Sequence, residues 1–529
     1  MLRAGLPAAL AWTLLLGAAP GANALEQRVV AADGTAGAAF GQSVAIQGGT
    51  AVVGAPSAAG GGAAYVFTRS GDAWSQTGKL VPSDLAAGDE FGQSVAIDGS
   101  TIVVGAPSDD ATVSNQGSAY VFSATGDAQR SQIAKLIATD PGNTDNLGRS
   151  VAIDGSTIIA GSPNHAVGMT AGAGTIYTFA ATGDSTRNET ARLTASDGAA
   201  SDALGTSVSM DGSTIVAGAF GDDVGANADQ GSAYVFSLGG GQIAHLVASD
   251  GAAGDRMGSA VSVGGGTIVA GSIYHGSQKG IVYTFPATAA GSSPESAKLT
   301  ASDGSTSDFL GGSVATDGQT ILAGAPLDDF VADTNSNQGS VYRFDAAGAV
   351  ARNETAKLVS AQDAAGDRAG SAVAVDGATS IVGSNATKVG ANASQGSATI
   401  RFDPLPPPVT PPVTPPVSPP GDTTAPKVTV TAGKGRLGKP IRIGATCDED
   451  CSLEARGTLK VKGVKKPKLA SAIARGGAGK TVTLTLEPSA KTAKALRKSD
   501  ASKGKAKVTV TAKDAAGNST TRMIPVKLA

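Results

Sequence analysis

Aromatic residues are scarce in this chain, at 4% of 529, and only two are tryptophan. Charged residues make up 16%, and there are three histidines and two cysteines. Each shortage excludes something. His165, His245 and His275 stand far apart, so no Cys–His or Ser–His–Asp set can be read locally. A zinc centre wants four ligands, and Cys447 and Cys451 have no histidine near them. A nucleophile elbow needs a strand-to-helix turn, and amphipathic helical runs are almost absent. The glycine runs 60–62 and 239–241 precede no helix, so they do not read as phosphate cradles. The expectation is therefore not an enzyme. The enzymatic alternative is a site assembled across distant segments.

The first 24 residues carry one early cation, Arg3, an apolar stretch and the small-residue site Ala22-Asn23-Ala24. This is the pattern of a secretory signal peptide cleaved after Ala24. A membrane anchor would need roughly 20 unbroken apolar residues, and Gly5, Pro7 and Gly17 interrupt this run. No later run is long enough to span, so no transmembrane segment is expected in the mature chain. The product is expected outside the cytoplasm, secreted or associated with the cell surface.

Glycine, in contrast, is abundant, at 73 residues. Short apolar stretches bounded by Asp-Gly and Gly-Ser pairs make the chain all-β. The net charge of −3 hides a division. Residues 1–422 hold 18 Lys and Arg against 37 Asp and Glu, whereas 423–529 hold 23 against 7. Between acidic body and basic tail lies a Pro-rich run, 404–426, which reads as a semi-rigid polyproline II spacer. The expected domains are the signal peptide (1–24), a repeat body (25–403), the linker (404–426) and a tail domain (427–529).

The body repeats itself. A Phe-Gly-like pair occurs at Phe40-Gly41, Phe91-Gly92, Leu147-Gly148, Leu204-Gly205, Met257-Gly258, Leu310-Gly311 and Ala369-Gly370, at spacings of 51 to 59 residues. Seven copies at that period predict a β-propeller with one blade per copy. Each copy holds four short apolar stretches, as in 93–97, 101–107, 117–122 and 134–140, which matches a four-stranded blade. An Asp-Gly pair such as Asp98-Gly99 suits the hairpin between the first two strands. The fourth stretch begins at Lys79, Lys135, Arg192, His245, Lys298 and Lys357. The last copy lacks it, and 27–33 supplies one at the other end of the body. The N-terminal strand is therefore expected to complete the seventh blade and leave no open edge. His245, in place of a lysine, reads as a surface side chain.

Phe91-Gly92 with Gly105-Ala106-Pro107, and again Gly324-Ala325-Pro326, resembles the FG-GAP repeat family, the propeller of integrin α-subunit heads. The resemblance implies the propeller fold over about 27–402. It also raises calcium, because integrin-type repeats carry a carboxylate-rich loop before Gly-Ala-Pro. Here only "AIDGSTIVV" precedes Gly105, and calcium takes about 6–8 oxygen ligands. That site does not carry over. A different acidic pair precedes the Phe-Gly position: Asp84 and Asp89, Asp140 and Asp145, Asp197 and Asp202, Asp250 and Asp255, Asp303 and Asp308. These carboxylates either accept backbone N–H groups and fix the turns between blades, the preferred reading, or hold a cation such as calcium. Asp109-Asp110, Asp222-Asp223 and Asp328-Asp329 open the longest loops, as solvated residues or as an acidic binding rim.

The tail reads as six or seven alternating strands, a β-sandwich. Its "DTTAPKVTV" and "DAAGN" resemble Ig-like or fibronectin-like modules of bacterial surface proteins. Cys447 and Cys451 are expected to form a disulfide in an exported protein. The basic charge could hold an anionic cell-wall polymer. Nucleic acid is not expected, because residues 427–529 contain no Phe, Tyr or Trp for base stacking. The functional expectation is a non-enzymatic binding or adhesion protein whose propeller meets a protein or glycan. The alternative is a lectin-like propeller, against which stand repeated aromatics, such as Tyr120 and Phe122, that read as core.

Overall fold

The computed structural model describes residues 25–402 apart from 330–336 and 349, and 425–528 apart from 433–435, 438, 463, 465–468, 498–503 and 515–517. The expected signal peptide, including the cleavage position after Ala24, and most of the Pro-rich linker lie outside the described residues. The chain divides into two compact units, Met1–Leu405 and Pro406–Ala529. Among the described residues no helix is long and apolar enough to cross a membrane.

Among the described residues of the first unit the strands form seven sheets of four or five strands. The second sheet shows the plan. Ser94–Asp98, Thr101–Ala106, Ser118–Ser123 and Ala134–Ile137 pair antiparallel in chain order. After Thr101, every residue of the second strand is buried. Sheets pack on both of its faces, so the apolar run is continuous rather than alternating. The first strands of successive sheets neighbour one another in order, and Ser43–Gln47 of the first sheet neighbours Ala369–Asp376 of the last. The innermost strands thus form a closed ring, and the fold is an all-β propeller.

The closing strand is Leu25–Val29, shorter than the expected 27–33. It pairs antiparallel with Ser397–Phe402, Glu26 opposite Arg401 and Val29 opposite Ala398. The backbone turns after it, with the Gly34 N–H donating to the Ala31 carbonyl, so Asp33 sits in a turn rather than in the strand.

Two details of the repeat differ from expectation. Four sheets carry a fifth strand. Gln129–Arg130, Thr186–Asn188, Gly291–Pro294 and Ala351–Asn353 each run parallel to the fourth strand of the preceding sheet. Two to four residues are too few to show a period in sequence. The Asp-Gly hairpin is also built differently. Asp98 pairs with Thr101, so Gly99 and Ser100 are the central residues and Asp98 ends the strand. Gly99 takes a positive φ of 54°. The Asp98 carboxylate is left free to accept the Gly155 N–H of the next sheet's hairpin at 2.7 Å. Asp154 does the same to Gly212 at 2.5 Å, and Asp376 to Gly48 at 2.5 Å.

The glycines of both motifs meet where sheets adjoin. A Cβ on Gly105 would lie 2.0 Å from the Gly148 carbonyl of the next sheet, and one on Gly383 the same distance from Gly41. The contact between last and first sheets therefore repeats the others. Ser94 Oγ also donates to the Gly148 carbonyl, at 2.8 Å.

In the second unit, Val428–Ala432, Ile441–Cys447 and Thr481–Leu486 form one sheet. Ala472–Gly476, Cys451–Val461, Gly504–Lys513 and Ser519–Leu528 form another, in that order. Both contribute to one apolar core that includes Ile443, Leu484, Leu453 and Val508. A short helix, Ala490–Arg497, follows Thr481–Leu486. Cys447 and Cys451 are disulfide-bonded with Cα atoms 6.5 Å apart. The bond joins the end of a strand in one sheet to the start of a strand in the other.

Candidate binding site at the mouth of the ring

The residue before each Phe-Gly-like pair enters the innermost strand in the left-handed backbone region. These are Ala39, Glu90, Asn146, Ala203, Arg256, Phe309 and Arg368, with φ of 56 to 59°. None is glycine, although this region costs an L-residue about 1–2 kcal/mol. Residues held this way gather where the fold over-determines them, often at functional sites. Here the fixed neighbour is Phe91 or its equivalent, fully buried against Tyr120 and Phe122 at 5.6 and 5.7 Å.

Three of these residues, Glu90, Asn146 and Ala203, line a cavity of about 370 Å³. The third positions of the Gly-Ala-Pro triplets, Pro107, Pro163 and Phe220, line it too, with Arg149, Asn164 and Thr206. An amide relay orders one wall. Asn164 Nδ2 donates to Asn146 Oδ1 at 2.7 Å, and Asn146 Nδ2 to the Pro107 carbonyl at 2.8 Å. Past Phe220 the rim is aromatic and cationic. The Arg256 guanidinium lies 5.5 Å from the Phe220 ring centre and 5.1 Å from that of Tyr274, within cation–π range. Tyr274 meets Phe309 edge-on at 5.5 Å. All four are partly exposed. One stretch of rim is thus amide and charge, the next aromatic and arginine, a mixture suited to a ligand with both apolar faces and hydrogen-bonding groups.

Sequence reasoning missed this site. The signal was present as departures from the repeat: Phe220 stands where most copies have Pro, and Phe309 where another has Glu90.

The acidic pairs have a different task. The first member of each faces the basic side chain of the fourth strand. Lys135 Nζ lies 2.7 Å from both Asp84 and Asp109, Lys298 2.7 Å from Asp250, and Lys357 2.7 Å from Asp303 and Asp328. Arg192 pairs with Asp140, and His245 Nδ1 stands 3.6 Å from Asp197. Tyrosines from the third strand complete the cluster, with Tyr120, Tyr177, Tyr283 and Tyr342 donating to Asp84, Asp140, Asp250 and Asp303. Burial alone would push the Lys135 ammonium down, but hydrogen bonds to Asp109 and Asp84 hold it above the ordinary lysine range. The second members cap turns. Asp89, Asp145, Asp202, Asp255 and Asp308 accept the N–H of the residue three before them, at 2.5 to 2.8 Å.

Two expectations are corrected here. Asp109, Asp222 and Asp328 are buried, not part of an exposed acidic rim, because the fourth-strand side chains Lys135, His245 and Lys357 hold them inward. Asp110, Asp223 and Asp329 accept backbone N–H groups of Asn115, Asp229 and Asn337 in their own loops. His245 is half-buried rather than freely exposed on the surface. It stacks on Tyr234 at 4.4 Å, with Nε2 2.9 Å from Asp222. His165 and His275 take the Asp109 position in their copies, and each Nδ1 lies 2.8 Å from a turn-capping carboxylate, Asp145 or Asp255. Among the described residues no group of three or more His, Cys, Asp or Glu is placed to hold a metal ion. The carboxylates once considered for calcium face the protein's own cations and N–H groups.

Comparisons place this geometry among known proteins. The chain matches the FG-GAP repeat over residues 24–67, 74–122, 131–179, 188–236, 241–285 and 294–344. Each matched segment from the second onward begins near the fourth strand of one sheet and ends with the third strand of the next, so the sequence repeat and the sheet are out of phase by one strand. The seventh copy, 369–402, lies outside the matched segments. No curated protein matches the chain. Among solved structures, Sqt1 of Chaetomium thermophilum aligns at 14% identity over 67% of this chain and 80% of that one, with a TM-score of 0.40. With more than half of its length matched by that repeat, the chain belongs to the FG-GAP repeat family.

Proposed function

We propose that this is a non-enzymatic binding protein, secreted or held at the cell surface. Its seven sheets serve as the blades of a propeller, and the mouth of the ring is its ligand site. One observation carries the reading. Residues that break the repeat, among them Phe220, Tyr274 and Phe309, gather with Arg149, Arg256 and the two asparagines around one opening. Residues that obey the repeat are spent on the core and on ion clusters. The ligand is a glycan or a protein surface with exposed apolar and polar groups, as adhesion would require. An exported setting is supported by the disulfide and by the signal-like first 24 residues. The second unit, read as an Ig-like sandwich, would be the holding module.

The test is an array of purified glycans and extracellular proteins probed with the full chain. Hits are re-measured by surface plasmon resonance with Phe220→Ala/Arg256→Ala and Arg149→Glu variants. Loss of binding by about tenfold or more in these folded variants supports the site. Ligands whose binding ignores all three substitutions would remove it.

A further inference from the structure

We propose that the outward face of the four-stranded sheet in the second unit binds a linear polymer bearing repeated phosphate groups. The inference is independent of the ring mouth and concerns other residues.

The argument begins with register. Lys460 stands directly opposite Lys505, and Lys505 directly opposite Lys527. Three lysines thus form a row across three adjacent strands. Like charges placed opposite in a sheet are destabilising, so the fold gains nothing from the row. All three side chains are exposed. Lys507 and Lys513 continue the same face along the middle strand, both exposed. Among the described residues the one acid on this face, Glu454, is engaged by Arg456 at 2.7 Å. Among the described residues none of the five lysines has a carboxylate partner. The opposite face of the sheet supplies Leu453, Val508 and Val510 to the core, so folding uses one face and leaves the other with an excess of positive charge. A surface needing only solubility would mix its signs.

The spacing sets the ligand. Neighbouring strands lie about 4.8 Å apart, and alternate residues along a strand about 6.8 Å apart. At one end of the face Lys460, Lys505, Lys507 and Lys527 therefore stand at these short intervals, with Thr509 and Thr511 between them and Lys513 along the middle strand, a cluster complementary to closely spaced anions on a chain. The cations are mainly lysine, a compact charge with three rotatable donors that binds phosphate as a point charge and asks for no fixed plane from its partner. A phosphate polymer, with an anion on every monomer, meets that requirement, and the carboxylate polymer polygalacturonate is the comparison that tests the choice. Nucleic acid is disfavoured because the unit has no Phe, Tyr or Trp on which a base could stack.

The experiment uses the full chain and long-chain inorganic polyphosphate as the probe, followed by fluorescence anisotropy at low and high salt. Binding at low salt that weakens steeply with added salt is expected. The variant Lys460→Gln/Lys505→Gln/Lys527→Gln should weaken it about tenfold or more. The control Lys439→Gln/Lys480→Gln/Lys491→Gln removes the same charge elsewhere in the unit and should weaken it about twofold or less. Melting of the row variant should be unchanged or raised. Should it fail to fold, Lys507→Gln/Lys513→Gln replaces it with the same expectation. Equal losses in row and control variants would overturn the proposal in favour of net charge alone. No binding of polyphosphate at low salt would overturn it, and so would tighter binding of polygalacturonate or single-stranded DNA.

Discussion

Arg28 and Asp363, 335 residues apart, are joined by an ion pair of 2.7 Å. Arg28 occupies in the seventh sheet the place that Lys135 holds in the second, and Asp367 stands 3.7 Å from the same guanidinium nitrogen. Burial raises the Asp363 carboxyl, and the Ser360 N–H and Arg28 limit the rise. Arg28→Ala would leave two buried carboxylates facing each other. Removing one partner of such a pair costs about 3 kcal/mol or more. Urea unfolding should show that loss, and Arg28→Met/Asp363→Asn should recover part of it. A loss below about 1 kcal/mol would mean that backbone pairing alone holds the closure.

Gly105 and Gly99 should respond very differently to alanine. At Gly105 the new methyl would press on the Gly148 carbonyl, which is backbone and cannot swing aside. The expected loss is about 3 kcal/mol or more. At Gly99 nothing lies within 4 Å, and only the positive φ is penalised, by about 1–2 kcal/mol. Thermal melting of both variants checks the order. The reverse order would refute the inter-sheet role of the Gly-Ala-Pro glycine.

Asp308 is buried, and burial raises its carboxyl to about 6, helped by the nearby Asp328 and Asp329 charges. Its unfolded reference is 3.8. Between those values the native state holds a proton that the unfolded state has released. Stability from this group therefore falls as pH rises through that window. Asp308→Asn keeps an oxygen for the Ser305 N–H and removes the charge. Its melting temperature should exceed wild type at neutral pH and converge with it near pH 4. Parallel melting curves across the range would disprove the assignment.

His165 runs in the opposite sense. Its hydrogen bond to Asp145 raises the imidazole above 6.5, against the pull of burial. The native state binds the proton more firmly than the unfolded state. The stability it adds is full below 6.5 and fades as pH rises past the raised value. Ring-proton NMR of His165 should show a midpoint above 6.5. A midpoint below it would mean that burial wins.

The disulfide closes only a short loop between Cys447 and Cys451. Loop-closure entropy then assigns it about 2 kcal/mol. In Cys447→Ser/Cys451→Ser, calorimetry should show the unfolding of the second unit shifted down by that amount, with the propeller transition unmoved. A shift of the propeller transition instead would contradict the division into two units.

The fold was legible because seven copies repeat the same local signals. Phe91-Gly92, Gly105 and the hairpin glycines each mark a backbone position, and averaging over copies removes the ambiguity of any one. The ring mouth was not legible for the same reason. Its chemistry lies in Phe220, Arg256 and Phe309, which look like noise when copies are aligned. The ion clusters were half legible. The recurrence of Asp84 and of Lys135 was visible, but 51 residues separate them, and no local spacing tells a carboxylate that its partner is a lysine rather than a metal. The Asp109 loop read as solvent-facing because it is long and polar. A tertiary partner, not its own sequence, turns it inward.

The closing strand has a consequence for how the chain is made. Leu25–Val29 is synthesised before Ser397–Phe402, the strand it must join. Until the later strand appears, the earlier one waits with its edge unpaired, open to pairing with a neighbouring chain. The ring is therefore completed by its oldest segment and its youngest. Translation that stops between them yields two bare edges rather than a smaller propeller, and any folding helper has to guard an early strand for the whole interval.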